Sequence, residues 1–189
     1  GEALAGFGLT EPDAGSDAAS IRARAARDGD VYVLDGRKQW CTNGGYAAVV
    51  MAMFRTGAAG ARGISAFLVD TALPGVSVER VTEKLGIHTS NTVDLAFTGV
   101  RVPLEARMGE EDSGFSSALA TLAAGRIGIA AQATGILAAC LDASVKFAKE
   151  RVAFGRPIGA FEGIAFKIAR MATDLDAARL LTYRAAELC

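Results

Sequence analysis

The sequence predicts an α+β chain: a β domain of antiparallel barrel or sandwich type over residues 1–108, then the first two long helices of an α-helical bundle over 109–189. Three observations carry this prediction. Short apolar runs recur between turn signals through residue 103, with no helical stretch among them. From Asp112 to Arg156 there is no proline, and apolar residues recur at helical spacing. The two helices present more apolar surface than a pair can bury on each other, so they belong to a larger bundle.

Gly6–Leu9 is the first short strand. Ile21, Ala23 and Ala25 alternate with Arg22, Arg24 and Ala26, the period of a half-buried strand, and Arg27 extends its solvated arginine face. Asp28-Gly29-Asp30 and Asp35-Gly36 read as hairpin turns on either side of Val31–Leu34. Ala47–Phe54 and Ile64–Val69 are continuous apolar runs of strand length. Leu73-Pro74-Gly75 turns the chain into Val76–Val81, and Thr92–Phe97 closes the series before Pro103. Asp112 or Ser113 is the expected N-cap of the first helix, which runs to about Arg151 and is roughly 55 Å long at ~1.5 Å per residue. Its first half is apolar nearly all round, with Gly125, Gly128, Ala131 and Gly135 open to close approach by another helix. Gly155-Arg156-Pro157 breaks it. The second helix starts near Phe161 and gathers Ile164, Ile168, Met171, Leu175 and Ala178 on one face.

The 189 residues carry a net charge of −1 and a pI near 5.9. That balance argues against a nucleic acid or an anionic membrane as partner, because both select clustered Lys and Arg. Cys41, Cys140 and Cys189 show no paired spacing, and His88 is the only histidine, so no metal site is expected. Scattered cysteines suit a reducing compartment, and a cytoplasmic location is expected. The uncharged stretches 113–125 and 127–141 are separated by Arg126, and the second, which carries Gln132, Thr134 and two glycines, reads as too short for a membrane span.

Two polar segments interrupt the apolar sequence of the β domain. They are Thr10-Glu11-Pro12-Asp13-Ala14-Gly15-Ser16-Asp17 and Trp40-Cys41-Thr42-Asn43-Gly44-Gly45. Both combine hydroxyls, small residues and tight turns, and the second holds the only tryptophan. A flat aromatic cofactor with a polar edge needs such parts: an indole to stack on, hydroxyls and amides along the edge, and glycine where the backbone comes close. Cys41 alternates to the opposite side of its strand from Trp40 and Thr42, so a backbone contact is expected of it rather than thiol chemistry. Arg126 stands alone in an apolar helix. Burial there is costly unless a carboxylate or phosphate meets it, which makes it a candidate binding residue.

The segment Phe7-Gly8-Leu9-Thr10-Glu11-Pro12-Asp13-Ala14-Gly15-Ser16-Asp17 resembles the first signature of the acyl-CoA dehydrogenase family. Asn43-Gly44-Gly45 after Trp40-Cys41-Thr42 resembles the second flavin segment of that family. Lys84-Leu85-Gly86-Ile87, Val100-Arg101-Val102-Pro103, Gly125-Arg126 and Glu150-Arg151-Val152-Ala153-Phe154-Gly155 follow in family order, so the resemblance covers the whole chain. Gly125-Arg126-Ile127-Gly128-Ile129-Ala130 is most similar to the short-chain, butyryl-CoA branch. The resemblance implies a fragment holding the middle β domain and the start of the C-terminal helical domain. Ala185–Cys189, which carry no helix-stop signal, agree with that expectation.

The resemblance also implies FAD as cofactor, α,β-dehydrogenation of an acyl-CoA, electron-transferring flavoprotein as acceptor, and a homotetramer. It assigns FAD contacts to Phe7, Leu9, Thr10, Gly15, Ser16, Trp40, Cys41 and Thr42. Trp40 would lie on the flavin face away from substrate, with Thr42 near N5. Ser16, Ala123, Ala124, Gly125 and Arg126 would line the acyl-CoA site. Arg151 and Phe154 would reach the FAD of a neighbouring subunit. Glu162 stands where the family usually places a glutamine against FAD, Ala165 replaces a second glutamine, and Arg170 stands where an acid is frequent. A carboxylate at 162 would repel the pyrophosphate unless Arg151 or Arg156 screens it. His88, where relatives often carry Arg, is read as a surface or hinge residue. The family's catalytic base is a glutamate. Most branches place it late in the C-terminal domain, and a minority place it where this chain has Gly125, so no catalytic residue is expected within residues 1–189. Flavin-dependent oxidases or monooxygenases, and non-catalytic DNA-binding relatives, are the alternative functions on the same fold.

Overall fold

Apolar runs of the first hundred residues assemble into one sheet of eight strands in the computed structural model, which describes residues 1–189. The strands are β1 (Ala5–Gly8), β2 (Arg24–Asp28), β3 (Val31–Thr42), β4 (Val49–Arg55), β5 (Ile64–Asp70), β6 (Val76–Val81), β7 (Thr92–Pro103) and β8 (Arg107–Met108). Their order is β6-β7-β3-β2-β4-β5-β8, with β1 parallel to β4. The β domain followed by two long helices is the predicted architecture. Its sheet is mixed rather than wholly antiparallel, through β1–β4 and the parallel Arg24–Arg55 pair, and it is not closed into a barrel. Tyr32, Phe54, Phe67 and Phe97 fill the centre, with edge-to-face ring pairs at centroid distances of 5.0, 5.9 and 5.1 Å.

Asp35-Gly36 does not turn the chain. Instead β3 continues to Thr42 and pairs with β7, with register shifts between Leu34 and Gly36 and between Lys38 and Cys41. The first shift is a bulge at Gly36, where φ is +136° and an added Cβ would lie 2.5 Å from the Ala23 Cβ. Asp35 uses its carboxylate to accept the Gly99 amide of β7 at 2.8 Å rather than to close a turn. Gly36→Ala in the full-length protein is therefore expected to lose about 1–3 kcal/mol of stability through steric overlap and strained φ. An unchanged urea midpoint would contradict this packing. Strand β7 likewise runs six residues past Phe97 to Pro103, because β3 offers it a partner along its whole length.

The chain divides into two compact units, Gly1–Ala120 and Thr121–Cys189. Helix α1 (Gly114–Glu150) begins in the first and continues into the second. Its start is seated closely on β5: a Cβ at Gly114 would meet the Ala66 nitrogen at 2.5 Å. Thr56 donates to the Asp112 carboxylate at 2.7 Å, and the Asp112 amide donates to Ser65 Oγ at 2.7 Å. In the second unit, α1 is followed by a hairpin of β9 (Val152–Ala153) and β10 (Arg156–Pro157), then α2 (Glu162–Glu187). Phe154 and Gly155 at the hairpin tip have φ of 51° and 75°, the left-handed pair of a type I′ turn. Apart from Ala148 and Leu175, the residues of this unit are half-buried or exposed. Because α1 runs unbroken through Arg126, its apolar sequence is not divided as expected; the helix is long and apolar enough to cross a membrane by length and composition.

Candidate functional site

The first polar segment is a tight reversal at the end of β1. Glu11 and Ala14 exchange both backbone hydrogen bonds, at 3.0 and 3.1 Å, leaving Pro12 and Asp13 at the tip. Phe7 and Thr10 are half-buried, Leu9 is buried, and Gly15 and Ser16 are exposed. No heavy atom outside its chain neighbours lies within 4 Å of a Cβ built on Gly15, so its backbone faces open space.

The second segment is the end of β3. At Gln39 and Trp40 the pairing with β7 lapses, since Lys38 faces Leu95 and Cys41 faces Val93. Trp40 takes a left-handed φ of 57° there, its amide donates to the Asp94 carboxylate at 3.1 Å, and the residue is 57% exposed. Cys41 turns inward and Thr42 outward, the alternation expected. Asn43 then starts the turn into β4. Its amide donates to the Asn91 carbonyl at 2.7 Å, and the Ser90 hydroxyl donates to its side-chain oxygen at 3.1 Å. Gly45 passes so near Asn91 that a Cβ would lie 2.4 Å from the amide nitrogen of that side chain. The β6–β7 connection is thereby strapped to this turn. His88 is exposed on that connection, with Nε2 2.6 Å from the Lys84 carbonyl, the surface position expected.

The two segments meet. The Gln39 amide donates to the Thr10 carbonyl at 2.7 Å, which places Thr10 and Trp40 on one stretch of surface. Beneath that bond lies an ion pair absent from the sequence reading. Lys38 Nζ donates to Glu11 Oε1 at 2.7 Å and to the Leu9 carbonyl at 3.4 Å. Glu11 also accepts the Arg22 and Ala23 amides, at 2.7 and 3.0 Å. Lys38 is 0% exposed and Glu11 7%. Burial lowers the Lys38 pKa, and Glu11 counters that only in part. One signal for the pair was present in the sequence: Tyr32, Leu34 and Lys38 share the inward face of β3 by period, so Lys38 needed a buried acceptor.

Burial pushes the Cys41 thiol from 9.0 up to about 11, so at neutral pH it is an uncharged, inert thiol. The folded chain keeps this proton while the unfolded chain loses it, so the Cys41 contribution is complete below pH 9 and lost as pH rises through 11. It amounts to about 2–3 kcal/mol. Lys38 acts oppositely, since its lowered pKa makes the folded chain lose that proton first. Cys41→Ala is therefore expected to flatten the alkaline fall in stability, measured by urea unfolding from pH 8 to 11. A variant with the wild-type slope would refute the assignment.

The remaining candidates lie in the second unit. Ala123, Ala124, Gly125 and Arg126 are exposed on α1, and Arg126 has no carboxylate partner in this chain. The desolvation argument for Arg126 thus does not apply to this chain by itself. Arg151 is exposed, and its carbonyl accepts the Ile158 amide at 2.8 Å. Phe154 is 95% exposed at the hairpin tip, with its ring edge-on to Phe161 at 6.0 Å. The Arg156 guanidinium sits 4.2 Å from the Phe161 ring centre. Glu162 is the first residue of α2, where its carboxylate is favoured by the helix N-terminus, and no ion pair joins it to Arg151 or Arg156. Arg151, Phe154 and Glu162 thus lie at and beside the hairpin in the second unit, while Thr10, Ser16, Trp40 and Thr42 belong to the first.

Residues 6–100 match the model of the acyl-CoA dehydrogenase middle domain, and residues 112–189 match that of the acyl-CoA dehydrogenase C-terminal domain. An acyl-CoA dehydrogenase of Bacillus subtilis is 48% identical over 189 residues, which is 100% of this chain and 50% of that protein. The caffeyl-CoA reductase-Etf complex subunit CarC of Acetobacterium woodii is 45% identical over 183 residues, 96% of this chain and 48% of that one. The solved butyryl-CoA dehydrogenase of Megasphaera elsdenii superposes with a TM-score of 0.94 at 44% identity, covering 96% of this chain and 48% of its own. The chain spans about half the length of the relatives it matches. With both family domains matched in order and the fold shared throughout, this chain belongs to the acyl-CoA dehydrogenase family, as a fragment carrying its middle domain and part of its C-terminal domain.

Proposed function

We propose that the full-length protein is an FAD-dependent acyl-CoA dehydrogenase of short-chain type, and that residues 1–108 form its flavin-binding domain. The observation that carries this reading is the Gln39–Thr10 bond, which joins the two polar segments and leaves the Trp40 indole exposed beside them. The donor set suits a flavin: an open indole face, the exposed Thr42 hydroxyl, the half-buried Thr10 and an open backbone at Gly15. FAD held there supplies a hydride acceptor for the acyl β-carbon.

This chain's own residues bind and orient. Trp40 stacks on the flavin, Thr10 and Thr42 present hydroxyls to its edge, and Phe7, Leu9 and Cys41 contribute packing and backbone. Ser16, in the first unit, serves the acyl-CoA; in the second unit Ala123, Ala124, Gly125 and Arg126 are its contacts, with Arg126 meeting an acid or phosphate from outside the chain. Arg151 and Phe154 serve the FAD of a neighbouring protomer in a homotetramer, with Glu162 beside it only where Arg151 or Arg156 turns to screen its charge; the tetramer would also cover the exposed apolar faces of α1 and α2. The α-proton goes to a glutamate outside residues 1–189. Electron-transferring flavoprotein is the proposed acceptor, supported by the Etf-complex relative. The compartment is the cytoplasm, in keeping with three free cysteines.

The test is anaerobic addition of acyl-CoAs of increasing chain length to the full-length protein. Loss of the oxidised flavin absorbance, greatest near butyryl-CoA, is the expected result. No bleaching with any acyl-CoA overturns the reading. Rapid reoxidation by oxygen points instead to an oxidase, and a salt-dependent DNA shift without bleaching to the non-catalytic relatives.

A further inference from the structure

We propose that Glu11 and Lys38 are positioning residues: their buried pair is a brace that sets the spacing between Thr10 and Trp40 and so holds the cofactor site in shape. The inference rests on the flavin reading given above.

Placement is the first support. Glu11 follows Thr10 directly, and Lys38 lies two residues before Trp40, so one side-chain pair spans both polar segments. The second support is the lapse in the sheet. Strand β3 has no partner on β7 at Gln39 and Trp40, so the ladder does not fix the indole. Trp40 is held instead by the Gln39–Thr10 bond, the Trp40–Asp94 bond, the anchored Lys38 upstream and the ladder that resumes at Cys41–Val93 downstream. The third is completeness. Glu11 accepts donors from Lys38, Arg22 and Ala23, and Lys38 also reaches the Leu9 carbonyl, so the brace ties β3 to the reversal after β1 and to the approach to β2.

Energetics point the same way. A fully buried ion pair is a poor source of stability, because taking two charges out of water offsets most of their attraction. A pair of apolar side chains could fill this space without that cost. It could not fix direction and register as hydrogen-bonded charges do, and a site that must present an indole and a hydroxyl to a rigid ring system needs both.

The test compares Lys38→Met, Glu11→Gln and the double variant in the full-length protein, reading thermal stability, FAD affinity, fluorescence quenching of bound flavin, and flavin reduction potential. Each single variant is expected to lose stability, because one charge is left buried without its partner. The double variant is expected to regain most of that stability yet bind FAD about ten- to a hundredfold more weakly, the range that loss of a supporting hydrogen-bond partner costs a metal site. Weaker quenching and a shifted potential should accompany it. A double variant with wild-type stability, FAD affinity, quenching and potential overturns the proposal. Gly8→Ala provides a second route that keeps both charges. Its Cβ would come within 3.2 Å of the Lys38 Cγ, so the lysine stem must shift by a few tenths of an ångström, and FAD affinity should fall severalfold with both charges kept. Unchanged affinity there counts equally against the brace. Should the wild-type protein bind no FAD, the flavin reading fails first; should it bind and the variants match it, only the brace fails.

Discussion

Lys38→Ala in the full-length protein is expected to cost about 3–5 kcal/mol of stability. The reason is asymmetric. With Lys38 gone, the Glu11 carboxylate, 7% exposed in the intact protein, keeps only two amide donors, so a net charge is stranded in an apolar interior. A cavity is added where the lysine stem packed beside Phe54, whose ring centre is 5.3 Å from Nζ. Urea unfolding followed by circular dichroism measures the effect. A loss below about 1 kcal/mol, the typical worth of an exposed pair, would show that water reaches Glu11.

The isolated polypeptide of residues 1–189 is expected to turn over no acyl-CoA, even where circular dichroism shows it folded and FAD is supplied. Removing the α-proton of a thioester requires a positioned base, and base catalysis alone is worth about 10²–10⁴ in rate. The carboxylates nearest the helix ends do not provide one. Glu111 accepts the Tyr32 hydroxyl at 3.2 Å, Glu150 closes α1 and Glu162 opens α2, while Gly125 puts no side chain beside Arg126. Anaerobic bleaching by butyryl-CoA, compared with the full-length protein, reads the result. Any turnover by the isolated polypeptide would place the base within it and refute the assignment.

Much of the candidate site was legible because its residues are unusual for their surroundings. Trp40 and the hydroxyls of Thr10 and Thr42 stand out against apolar strands, and the alternation of Trp40, Cys41 and Thr42 held in the structure. Glu11 and Lys38 were not legible as a pair. They are 27 positions apart, and nothing local joins a turn glutamate to a strand lysine. Asp35-Gly36 failed in the opposite way. The dipeptide is a genuine turn signal, but the approach of Ala23 and the pairing with β7 turned it into a bulge. Arg126 illustrates a third limit: its neighbours in sequence are apolar, yet exposure depends on what packs over α1.

By itself, the sequence determined the order of the main strands and of both long helices, the inward face of the strand around Ala23 and Ala25, and the residues that make up both polar segments. These follow from side-chain period and from glycine and proline at turns, which act over a few neighbouring residues. Only the tertiary structure decided that the sheet is mixed and unclosed, that β3 bulges at Gly36 and again before Cys41, and that a buried charge pair stands under Thr10 and Trp40. Each of those outcomes depends on close approach between segments far apart in the chain, where backbone register and the cost of an unpaired buried charge choose the arrangement.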